Sequence, residues 1–158
     1  MKTHEIELAV AEYFNPRVNI VVPNVYWSFF NYECDLIVLT PAKCVYEVEI
    51  KTSRSDLMAD FKKKRFHNDG RIKRFYYAIP EGLLTHINVM PDYAGVIFVR
   101  EYQPKKYRAI VKREAKNKSK HKFSDKDRLN FLRISQLRMW KYFKKYHQTK
   151  EYYDRNVD

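Results

Sequence analysis

Apolar residues first recur at helical spacing, at Ile6, Val10, Tyr13 and Phe14, with Thr3 placed to cap that helix. Asn15-Pro16 predicts its end, because proline cannot continue the hydrogen-bond ladder. The pattern then shortens to β-prone runs: Val18–Val22, Val25–Phe30 beyond Pro23-Asn24, Glu33–Leu39 closed by Thr40-Pro41, and Cys44–Lys51. A helix is expected from about Ser55 to Phe66, followed by a turn at Asn68-Asp69-Gly70 and a strand Phe75–Ile79 closed by Pro80. Val96–Val99 and Tyr107–Val111 read as a hairpin around Gln103-Pro104-Lys105. Lys112–Lys122 is a charged connector. Ser124 and Asp127 form a capping-box pattern opening a helix to about His147, whose buried side would be Leu129, Leu132, Leu137, Trp140 and Phe143.

The order α-β-β-β-α-β, then further strands and a terminal helix, predicts an α/β fold of the mixed-sheet α+β kind, with helices on both faces of a central sheet. One domain accounts for the chain: a core over 1–111, a basic connector over 112–123, a helix over 124–149 packed on the same domain, and a frayed tail over 150–158.

Composition narrows the function. A hydrophobic content of 45% in 158 residues supports a packed core. No apolar run reaches the roughly 18–20 residues of a membrane helix. Glu5, Glu7 and Glu12 interrupt the N-terminal apolar stretch, so no signal peptide is expected. Cys34 and Cys44 both fall in strand-like runs and are expected as buried free thiols, which favours a cytoplasmic protein. Three glycines leave neither a dinucleotide fingerprint nor a Walker A loop, and zinc-ligand spacing is missing.

The net charge of +12 is unevenly placed. Residues 1–51 hold four basic and seven acidic side chains, a net of −3, whereas residues 52–158 carry +15. From Lys112 to Lys150, fourteen Lys and Arg face three acids. Such a surface suits either a polyanionic partner or solubility.

The acids in the less basic third carry the chemistry. In Tyr46-Glu47-Val48-Glu49-Ile50-Lys51, strand alternation puts Glu47, Glu49 and Lys51 on one face and Tyr46, Val48 and Ile50 on the other. Strongly apolar flanking runs make this an interior strand, where three charges cost several kcal/mol unless compensated. A cross-strand salt bridge to a lysine is one compensator, and a divalent cation held by oxygen ligands is a stronger one. Asp35, on the preceding strand, is the natural second carboxylate.

Asp35 followed by Glu49-Ile50-Lys51 resembles the PD-(D/E)XK nuclease core, with Cys34 in place of the proline. Val48-Glu49-Ile50-Lys51-Thr52-Ser53-Arg54-Ser55-Asp56, then Asp60-Phe61-Lys62-Lys63, then Arg74-Phe75-Tyr76-Tyr77-Ala78-Ile79-Pro80-Glu81-Gly82, is similar to the MmcB-like DNA repair proteins and their phage-encoded relatives. The resemblance covers about residues 3–100.

It implies a restriction-endonuclease-like core and hydrolysis of DNA phosphodiesters, more as an endonuclease than an exonuclease. Asp35 and Glu49 would ligate Mg²⁺ or Mn²⁺, the Ile50 carbonyl would add a backbone ligand, and Lys51 would be the catalytic lysine. Glu5 is the best match to a further glutamate on the first helix, with Glu12 the alternative. The Cys34 departure is expected to matter little, since alternation turns it away from Asp35. The helix after the motif offers Asp56, Asp60, Lys63 and His67. Lys63, Arg74, Lys116, Lys118, Lys120 and Lys122 are expected phosphate contacts. Cutting both strands of a duplex would need a homodimer or two nicks. A nucleic-acid-binding module without chemistry, or a phage protein binding a host protein by its basic arm, are the alternatives.

Overall fold

The computed structural model describes the backbone of residues 1–25, 32–61 and 69–155, with side chains up to 149. Its elements are α1 (Thr3–Tyr13), β1 (Ile20–Val25), β2 (Cys34–Leu39), β3 (Val45–Ile50), α2 (Arg54–Asp60), β4 (Ile72–Pro80), a 3₁₀ segment (Glu81–Val89), β5 (Gly95–Gln103), β6 (Lys106–Arg113) and α3 (Asp125–Arg155). This is an α+β fold built on one six-stranded mixed sheet in sequential order. β1, β2 and β3 form an antiparallel meander, β4 and β5 add in parallel to β3, and β6 closes the far edge antiparallel to β5.

Helices cover both faces. Ile6, Ala9, Val10 and Phe14 of α1 pack on Leu36, Val38, Val48, Ile50, Tyr76 and Ala78. On the opposite face, Phe131 of α3 and Phe123 cover Ile37, Leu39, Val45 and Ile72, and Leu57 of α2 covers Phe75, Tyr77 and Ile79. β3 is third of six and paired on both edges, which makes it the interior strand its apolar flanks predicted.

Several elements differ from their sequence pattern. Pro23-Asn24 does not divide two strands, because Pro23 lies within β1 and pairs with Leu36. β1 is an edge strand, where proline costs no interior ladder bond. Asn24 absorbs the bend at φ 50°. The expected strand Val25–Phe30 falls almost wholly outside the described residues, as do Lys63 and His67. The 3₁₀ segment was not anticipated, and α3 runs through the expected tail to Arg155.

The α3 capping box forms: the Asp127 N–H donates to Ser124 Oγ at 3.2 Å, and the Ser124 N–H returns to Asp127 Oδ2 at 2.9 Å. Its buried face, however, is not the expected one. Phe131 and Ile134 pack inward, while Leu129, Leu132, Leu137, Trp140 and Phe143 stand exposed. The helix is apolar on two sides, and the β1 edge covers only one.

Candidate functional site

Strand alternation brings the β3 charges to one face, as the sequence pattern required. Glu47, Glu49 and Lys51 are 0%, 5% and 3% exposed. The Lys51 ammonium donates to Glu49 Oε1 at 2.7 Å and lies 3.0 Å from Asp60 Oδ1 at the end of α2. Asp56, more exposed on the same helix, is 3.9 Å away. Tyr77 of β4 donates its hydroxyl to Asp60 Oδ2 at 2.9 Å, and Tyr32 donates to Glu47 Oε2 at 2.7 Å. A carboxylate–ammonium–carboxylate line thus crosses from β3 to α2 inside the protein. Burial opposes the Lys51 charge, yet Glu49 and Asp60 hold its pKa above the ordinary lysine value. Burial, reinforced by Asp60, drives the Tyr77 hydroxyl well above its usual range, so it stays a neutral donor.

Asp35 occupies the point where β2 leaves its regular alternation. Leu36 and Val38 face α1, while Ile37 and Leu39 face α3, and Cys34 also turns to the α3 side. The reversal falls at Asp35. Its Oδ2 accepts the Ile50 N–H at 2.8 Å, one step beyond the last regular β2–β3 pair, Leu36 with Val48. The N–H and C=O of an extended residue point to the same edge, so the Ile50 carbonyl opens toward the same gap. The Cys34 thiol is pushed up by burial and then by Glu47 and Glu49.

The first helix turns Glu5 and Glu7 to different sides. Glu5 caps the Lys2 N–H at 2.6 Å and accepts the Tyr107 hydroxyl at 2.8 Å, toward β6. Glu12 lines the same side as Glu5, in a hollow shared with Tyr102 and Lys105. Glu7, two residues from Glu5 and about 200° around the helix, is half-buried. Its pKa is raised by burial and then by the Asp35 carboxylate. The side on which Glu7 falls follows from its helical phase relative to Ile6 and Val10.

The expected phosphate contacts separate into two groups. Arg74 lies on the α1 face, stacked 5.5 Å over the Tyr46 ring and 3.3 Å from Glu114. It is on the other face from Glu49, since its register partner Tyr46 is out of phase with Glu47. Lys118, Lys120 and Lys122 instead line a cavity of about 400 Å³ with Asn117, Ser119 and Lys73. Lys73 was not anticipated. Lys118 sits 4.5 Å over the Tyr93 ring, and Lys122 donates to the Ala42 carbonyl at 2.7 Å and contacts Cys44 Sγ at 3.1 Å. Lys116 is exposed beside this cavity.

The oxygen-only set of Asp35, Glu49 and the Ile50 carbonyl suits a hard divalent cation in donor chemistry. Among the described residues no three or more His, Cys, Asp or Glu side chains cluster in ion-holding geometry. Among the same residues no helix is long and apolar enough to cross a membrane.

The six-stranded mixed sheet flanked by helices on both faces, with a long C-terminal helix, defines the class of fold. A solved structure shares it: the SPO1766 protein of unknown function from Silicibacter pomeroyi, with a TM-score of 0.63 and 16% sequence identity over 95% of this chain and 94% of that chain. No family model and no curated protein matches the sequence.

Proposed function

We propose that this chain is a Mg²⁺- or Mn²⁺-dependent deoxyribonuclease of the PD-(D/E)XK type, acting in DNA repair, recombination or phage DNA processing in the cytoplasm. The observation that carries the reading is the buried Glu49–Lys51–Asp60 line at the end of an interior strand, with Asp35 bonded to the N–H of the intervening Ile50. A fold without chemistry gains nothing from buried charge at this point, since a well-packed apolar set of equal volume is commonly as stable or more so.

Asp35, Glu49 and the Ile50 carbonyl would hold the metal, which supplies a polarised phosphate oxygen and a more acidic water when bound. The chain's own residues do the rest. Lys51 is positioned to offset negative charge developing on the phosphate, and Asp60 with Tyr77 fixes the ammonium. The basic cavity grips flanking phosphates. Lys73 precedes Tyr77, the register partner of Glu49, by four residues, which sets the cavity about 13 Å away along the strand.

One observation favours a second reading, a DNA-binding module without turnover: the Lys51 ammonium is already held by two carboxylates. Incubation of plasmid and single-stranded DNA with Mg²⁺ or Mn²⁺ separates the two. Cleavage that disappears in a folded Glu49→Gln variant supports the nuclease. Metal-independent binding with no product, or cutting that persists in Glu49→Gln, overturns it.

A further inference from the structure

The outward side of α3 carries a heptad. Leu129, Leu132, Gln136, Met139, Phe143 and Tyr146 follow the alternating three- and four-residue spacing of coiled-coil a and d positions. The five apolar members are 45–67% exposed, and Trp140 beside them is 56% exposed. The opposite side, through Phe131, Ile134 and Arg138, is already committed to the domain: Phe131 is fully buried and Arg138 donates to the Asn24 carbonyl at 2.6 Å. The exposed stripe is therefore not spare surface of the packing face, but a second seam on the same helix.

We propose that α3 pairs antiparallel with α3 of a second copy of this chain, making the protein a homodimer independently of its chemistry. The spacing fixes the layers. Leu129 meets the partner's Tyr146, Leu132 meets the partner's Phe143, and Gln136 meets the partner's Met139, each layer occurring twice.

Charge decides the direction. The residues flanking the seam are Arg128, Arg133, Ser135, Trp140, Tyr142, His147 and Thr149. A parallel pair sets Arg128 against the partner's Arg133, like charge on like charge. An antiparallel pair sets Arg133 over the partner's Trp140, a cation–π arrangement, and Arg128 against the partner's Thr149. Lys141, Lys144 and Lys145 fall outside the seam. The stripe and Trp140 offer roughly 600–700 Å² per chain, close to the ~800 Å² of a standard interface. Gln136 is the single polar position of the seam, and such a residue specifies register in coiled coils.

The test is the mass of the full chain by light scattering at high micromolar concentration. Twice the 19.2 kDa chain mass is expected, falling to the single mass in Leu132→Glu/Phe143→Glu with an unchanged circular dichroism spectrum. Orientation is read by oxidative cross-linking. Leu129→Cys and Tyr146→Cys chains, mixed, should cross-link several-fold more than either alone, the native Cys34 and Cys44 being buried. A monomeric wild type, including one that instead sediments with anionic vesicles, overturns the proposal. So does a Leu129→Cys chain that cross-links to itself better than to Tyr146→Cys.

Discussion

Lys51 and Asp60 meet at 3.0 Å although one ends an interior strand and the other ends a helix, and both are nearly sealed from solvent. Glu49 holds the same ammonium from the other side. Removing the cation leaves two carboxylates buried against each other. Lys51→Met should therefore lose about 3–5 kcal/mol of stability, the usual cost of breaking a buried pair from one side. Glu49→Gln/Lys51→Met should recover part of that loss. Urea midpoints of the three proteins check this.

The same pair sets an alkaline limit. Lys51 has a folded pKa above its ordinary value near 10.5. The stability it contributes is complete below that value and is lost as pH rises through the folded one. Thermal melts from pH 9 upward should fall more steeply in the wild type than in Glu49→Gln/Lys51→Met.

Glu7 works in the opposite sense at acid pH. Burial and Asp35 raise its folded pKa above 4.5. Its favourable proton linkage is present below that value and is lost as pH rises through the folded pKa, leaving a half-buried carboxylate beside Asp35 at neutrality. Glu7→Gln keeps the acceptor for Asn24 and should melt higher than the wild type at pH 7, with the difference vanishing near pH 4. If Glu7 serves metal binding in the proposed nuclease, the same variant should also need more Mg²⁺ for half-maximal cutting.

Gly95 opens β5 directly across from Tyr76. A Cβ there would collide with the Tyr76 ring and approach the Ala115 nitrogen to 2.8 Å. The ring is held by its hydroxyl bond to Glu114 at 3.0 Å, and the Ala115 nitrogen is backbone, so neither yields cheaply. Gly95→Ala should cost about 1–3 kcal/mol, measured as a lower denaturant midpoint with unchanged m-value.

The mixed sheet flanked by helices, the interior position of β3 and the shared face of Glu47, Glu49 and Lys51 were all legible in the sequence. They depend on a two-residue period and on apolar flanks, both local properties of the chain. Cysteine burial was legible for the same reason, and both thiols are free. Asp60 was noticed only as one of several charges on the helix after the motif. Nothing local distinguishes it from Asp56, yet one is sealed against Lys51 and Tyr77 while the other is largely exposed.

The remaining differences share a cause. The phase reversal at Asp35, the different partners of Glu5 and Glu7, the separation of Arg74 from the lysine cavity and the buried side of α3 all depend on how elements meet. Residue spacing determines which side chains share a face of one helix or strand, because backbone geometry repeats regardless of neighbours. Which face is buried, and which acid finds which cation, depends on contacts between residues far apart in sequence. Asp35 with Ile50, Lys51 with Asp60 and Lys118 with Lys73 are such contacts, and only the tertiary structure decided them.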